Sequence, residues 1–368
     1  MCVIGVCVAC QPEESTLPTN TPVVETTCVT PSPEVNAGAD QPTETPRPTL
    51  TPTPLPSDTP TPLPPDTPTP DEPTHTPRPT INASPTPAPT VNVGQGEILF
   101  SVYPYGAIGT MSADGSGYRV LLNMPRTLAI NNNRHASWLP DGSGISYTVD
   151  DFGQAEIWVM DSQGGDQRFL LGEVATDSAH SWSPDGASLV FVSAQNRIAL
   201  YNLADQTVAQ LTDGHFRSEG DPDWSPDGSR ITFAAAEGGN QDIYIISVDG
   251  TDLVRLTSHP DVDQQPDWSP DGSKIAFSST RDGDHIKDIF VIDLGLGTEQ
   301  EGNIPVQLTF EDTLDIDPDW SPDGASLVYA AHTFGGSHAT LFAVAVGGGP
   351  RRQLTEENTY HSPQWRPR

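Results

Sequence analysis

From Glu97 onward, apolar and polar residues alternate in short runs that return in a fixed order. KIAFSS (274–279), DIFVID (288–293) and PVQLT (305–309) each alternate with period two, which predicts strands with one buried face. PDW (266–268) comes before them and predicts a shorter first strand. Helical spacing is absent. Tryptophan aligns the copies: Trp138 is followed by LPDG, and Trp182, Trp224, Trp268 and Trp320 are each followed by SPDG. Trp365, followed by RPR, opens a sixth copy. The spacings of 44, 42, 44, 52 and 45 residues fit a four-stranded propeller blade. The long interval contains LGLGTEQEGNI, which enlarges one turn between the third and fourth strands.

The two ends of this region complement each other. EILFSV (97–102) reads as a second strand with no first strand ahead of it, and HSPQW (361–365) as a first strand with nothing after it. If the C-terminal strand completes the first blade, both defects vanish and no sheet edge stays open. The expectation is an all-β, six-bladed propeller over residues 95–368. In each WSPDG the proline presets φ and the glycine accepts a left-handed turn position. The six tryptophans are expected to pack between neighbouring blades, an architectural role.

PDWSPDGSKIAFSSTRDGDHIKDIFVIDL, PVQLT and their sibling segments resemble the TolB-like propeller repeat, a relative of the WD-type repeats. The resemblance covers about residues 97–368. It implies the fold, but the scaffold serves binding proteins, gating domains of prolyl-oligopeptidase-type peptidases and some polysaccharide lyases.

Composition separates the rest of the chain from this region. Of 38 prolines, 23 precede residue 90, in runs such as TPRPTLTPTPLPSDTPTP. Residues 11–94 offer too little apolar surface to offset the entropy of folding, and read as a disordered or polyproline stalk. All four cysteines (Cys2, Cys7, Cys10 and Cys28) lie before the propeller, so the fold needs no disulfide. MCVIGVCVAC, residues 1–10, resembles the end of a bacterial lipoprotein signal peptide. That implies lipidation at Cys10, a membrane anchor and an extracytoplasmic address. The net charge of −32 argues against a nucleic-acid partner.

Function is expected where the copies differ, in the loops of one face. Five residues before the tryptophan stand Asp177, Glu219, Asp263 and Asp315. Three before it stand His135, Ala179, Asp221, Gln265, Asp317 and Ser362. Both sets are expected to line or rim the mouth of the central channel. The eight histidines after residue 96, His180 and His361 among them, fall in connections on that face or at their edges. Such a mouth suits a non-enzymatic module that binds a protein or glycan of the cell envelope and requires no cofactor. The alternative is a metal-dependent, lyase-like enzyme in which His135, His180 and His361 hold a divalent metal beside Asp177 and Asp221. No G-x-S-x-G, H-E-x-x-H or P-loop occurs. DGDHIKD (282–288) is a poor calcium loop, with Ile286 and Lys287 where an oxygen ligand and a glycine belong.

Overall fold

A computed structural model of the protein describes residues 96–102, 106–123, 135–151, 154–176, 179–283, 286–333, 338–356 and 360–367. The stalk, Cys10 and Asp177 lie outside the described residues. Twenty-four strands, numbered in chain order from β1 (Glu97–Val102) to β24 (Tyr360–Trp365), form six four-stranded antiparallel sheets. These are the six blades. β24 pairs with β1, Ile98 opposite Trp365 and Val102 opposite Tyr360, so the last strand closes the ring. LGLGTEQEGNI forms the expected enlarged turn of the fifth blade, in which Leu294–Leu296 and Glu299–Glu301 coil into short 3-10 turns.

The strands nearest the channel are β4 (Ala136–Trp138), β8 (His180–Trp182), β12 (Glu219–Trp224), β16 (Asp263–Trp268), β20 (Thr313–Trp320) and β24. Each carries its tryptophan into the seam with the preceding blade. Trp268, for example, packs with Ala234, Ile243, Ile245 and Leu256 of that blade and with Ile275, Phe277 and Phe290 of its own. All six tryptophans are at most 9% exposed. The Asp-Gly turns behind the first five hold themselves, as where Asp271 Oδ1 accepts from the Ser269 hydroxyl at 2.7 Å and from Ser273 N–H at 3.0 Å.

Proline bends four of these channel strands. Pro222, Pro266, Pro318 and Pro363 have no N–H to give the ladder, and a strand tolerates that at a bulge. In β12, β16 and β20 the register shifts across the proline, and β24 is irregular at the same place. The residue ahead of it takes positive φ: Asp221 at 50°, Gln265 at 55°, Asp317 at 53° and Ser362 at 44°. β4 and β8 lack the proline and pair without a shift.

Candidate functional site: the channel mouth

The channel opens at two mouths joined by a waist. The first is a cavity of about 110 Å³, walled by the three residues before each tryptophan. It therefore brings together His135, Ala179, Asp221, Gln265, Asp317 and Ser362, one from each blade. The opposite mouth, about 330 Å³, is ringed by the six tryptophans and by prolines of the turns that follow them.

The bulges stitch the first mouth together. Gln265 N–H donates to Asp221 Oδ2 at 3.2 Å, and Ser362 N–H donates to Asp317 Oδ2 at 3.1 Å. The Gln265 amide also donates to Asp317 Oδ1. Burial pushes the Asp221 carboxyl up; His135 pulls it back in part, and Asp317 adds to the rise.

The other sequence candidates sit elsewhere. Glu219, Asp263 and Asp315 are buried in the seams between blades, not at the mouth. Glu219 Oε2 accepts from Ile198 N–H at 2.8 Å, and also from the Thr212 hydroxyl. Asp263 takes Arg281 Nη2–H at 2.6 Å, and Asp315 takes the Thr313 hydroxyl at 2.8 Å. The cause is the bulge. Its extra residue puts these acids in phase with the tryptophan, facing the preceding blade, instead of with the residue that lines the channel.

The histidines do not converge either. His180 lies in the mouth's wall, but Nε2 meets the Ser146 hydroxyl at 2.7 Å and Nδ1 faces Thr148 Oγ1 at 3.4 Å. Burial, with His135 nearby, pushes its pKa down to about 3. The His361 ring packs at a tilt against that of His332, with centroids 4.7 Å apart. Among the described residues, no group of three or more His, Cys, Asp or Glu is placed to hold a metal ion.

Sequence reasoning passed over the residue immediately before each tryptophan. Ser137, Ser181, Asp223, Asp267, Asp319 and Gln364 form the waist. Asp223 accepts the main-chain N–H of Trp268 in the next blade at 3.0 Å. Asp267 likewise takes Trp320 at 2.8 Å, Asp319 takes Trp365 at 2.7 Å, and Gln364 takes Trp138 at 2.7 Å. The waist thus latches four of the six seams between blades, and at a fifth Trp224 N–H reaches the Ser181 hydroxyl at 3.4 Å.

Three adjacent carboxylates in that latch have a cost. Burial pushes Asp223 up to about 6, against the hydrogen bonds it accepts. Burial, and then the charges of Asp319 and Asp223, drive Asp267 well above the ordinary aspartate value. Between 3.8 and a raised value the folded state holds more protons than the unfolded chain, so stability falls as pH rises through that window. The turn aspartates act oppositely. Hydrogen bonds lower Asp227 and Asp271 to about 2, so their contribution is present above the unfolded value and lost as pH falls toward 2. Melting temperature should therefore peak at about pH 4 to 5 and decline toward pH 8. Asp267→Asn keeps the acceptor for Trp320 N–H and removes one charge, as Gln364 already does in the first blade. It should raise the melting temperature at pH 8 by a few degrees, at about 2–4 °C per kcal/mol, and flatten the decline. An unchanged or steeper decline would contradict this account of the latch.

Comparison with known proteins agrees with this architecture. The family model described as TolB beta propeller domain matches residues 215–368. Protein Atu1656 of Agrobacterium fabrum is 32% identical over 213 residues, which cover 55% of this chain and 71% of that protein. This chain belongs to the TolB-like propeller family. A second relative, YidR of Escherichia coli, is 34% identical over 103 residues, 27% of this chain and 23% of that protein. Among solved structures, TolB from Acinetobacter baumannii superposes with a TM-score of 0.64 at 22% identity, covering 77% of this chain and 69% of that one. At that identity the likeness speaks for the fold.

Proposed function

We propose that the protein is an extracytoplasmic binding module, anchored through lipid on Cys10 and carried on its Pro/Thr stalk, whose channel mouth takes a side chain from a protein of the cell envelope. The observation that carries this reading is the convergence of six residues of five kinds, one per blade, on a single polar cavity, while the tryptophans and turns around them repeat. A cavity of about 110 Å³ is well below the roughly 300–1,000 Å³ of typical small-molecule pockets. It has room for a side chain rather than a stretch of glycan. Asp221 and Asp317 make its wall acidic, which favours a basic group.

Photo-cross-linking in the full chain tests this. A photoreactive residue at Ser362, in the mouth, should yield one defined adduct with an envelope protein. The same group at Asp271, in a turn outside the mouth, should not. Equal adducts from both positions would contradict the reading. So would a stoichiometric transition metal accompanied by polysaccharide cleavage.

A further inference from the structure

The seam between the second and third blades is not filled at its turn end. A cavity of about 340 Å³ lies there. It adjoins the tryptophan-ringed mouth and shares Pro140, Trp182 and Pro184 with it. Its walls are apolar: Leu139, Pro140 and Leu170 of the second blade face Trp182, Pro184 and Leu203 of the third. Two other seams show what fits against such a tryptophan. Arg366 comes one residue after Trp365, and its guanidinium lies 4.8 Å from the ring of Trp138 in the next blade. It also donates to Gly142 O at 2.6 Å, in the turn behind that tryptophan, and to Glu97 Oε2 at 2.9 Å. Arg230, six residues after Trp224, lies 4.8 Å from the ring of Trp268. In the second blade the same two positions carry Leu139 and Gly144, which bring no cation to Trp182. The acceptors remain in place around the cavity. Gly186, the counterpart of Gly142, lines it together with Asp141 and Asp185. Each aspartate uses Oδ1 within its own turn, on Ser143 N–H at 2.9 Å and on Ala187 N–H at 3.0 Å. Arg168 also lines the cavity, exposed on the outer strand.

We propose that this cavity is a guanidinium site: an alkyl guanidine from another molecule stacks on Trp182, in the place that Arg366 and Arg230 fill over Trp138 and Trp268. A guanidinium is planar and weakly hydrated, so its face lies on an indole while its edge donates to nearby oxygens. Here those oxygens are the Gly186 carbonyl and the carboxylates of Asp141 and Asp185. Leu139, Leu170 and Leu203 then take the methylenes of the chain that carries it. The volume falls within the roughly 300–1,000 Å³ of small-ligand pockets. The cavity is separate from the polar channel mouth, and its ligand does not depend on what that mouth binds.

The probes are butylguanidine, its neutral isostere butylurea and Nα-acetylarginine methylamide, titrated into the full chain at roughly 150 mM salt to screen diffuse attraction to the acidic surface. In the ¹⁵N-labelled protein the indole N–H of Trp182, which donates to Ser146 Oγ at 2.8 Å, is one of seven indole signals. Butylguanidine should bind and move that signal, and butylurea should bind roughly tenfold more weakly. Binding of the arginine derivative as well assigns the guanidinium to an arginine side chain of a partner protein. Binding of butylguanidine alone assigns it to a free small molecule. Leu139→Arg repeats in the second blade the placement of Arg366, so the variant should fill its own cavity and lose the binding without melting earlier. No binding of butylguanidine, equal binding of butylurea, or a shift at other indoles with Trp182 still would each overturn the proposal. Undiminished binding to folded Leu139→Arg would overturn it too. The other readouts use the unsubstituted chain, so the test survives if Leu139→Arg fails to fold.

Discussion

Trp268→Ala should cost about 3–5 kcal/mol of stability, the range for removing a buried tryptophan. In a domain of this size that lowers the melting temperature by roughly 6–20 °C. Trp268 lies at 5% exposure in the seam between the fourth and fifth blades, with apolar residues of both around it. Its main-chain N–H, held by Asp223, survives the substitution, so the loss measures packing and the cavity left behind. Arg230, whose guanidinium sits 4.8 Å from the indole, loses its stacking surface as well. Thermal or urea melts of the two proteins check this. A melting curve that does not move would show that the repeated tryptophan does not hold the blades together.

Arg281→Met should cost a comparable amount, about 3–5 kcal/mol, because it strands a buried charge. The Arg281 side chain is only 8% exposed and reaches two carboxylates at 2.6 Å: Asp263, fully buried, and Glu299 in the enlarged turn. It also lies over the rings of Phe277 and Phe290. Burial already raises the Asp263 carboxyl, and Arg281 is the main group pulling it down. Without the guanidinium that value climbs further. The folded variant then holds an extra proton, and its deficit should be larger at pH 8 than at pH 5. Adding Asp263→Asn should recover much of the loss at pH 8. A deficit independent of pH would point to lost packing over the two phenylalanines instead.

How much of this was open to a reading of the sequence depends on whether the signal was periodic. Period-two runs and the tryptophan spacing prescribe the blades, and the half-blades at 97–102 and 361–365 prescribe the closure. The mouth was half visible. Asp221, Gln265, Asp317 and Ser362 are where counting back three from tryptophan puts them. Counting back five went astray for Glu219, Asp263 and Asp315, because the count assumed an unbroken strand. The proline at each bulge was the available clue, since a residue without an N–H inside a channel strand announces an extra residue in the register. The waist hid in plain view. The aspartate of PDW recurs three times and so reads as framework; framework it is, with a proton balance of its own. Lys287 gave no sign, because nothing in DGDHIKD says that its ammonium donates to Gln264, next to the mouth's Gln265.

What repeats and what differs have separate roles: tryptophans, turns and waist hold six blades in a ring, and in the proposed function the mouth takes the partner's side chain. The most direct test is the cross-linking yield from Ser362 in four backgrounds, each measured below its melting temperature. Wild type, Asp267→Asn and Trp268→Ala should give the same envelope-protein adduct in similar yield. Asp221→Asn/Asp317→Asn should lose it while melting like a folded propeller. An adduct that survives the loss of both aspartates, or that disappears with Asp267→Asn or Trp268→Ala in protein that is still folded, would contradict the division.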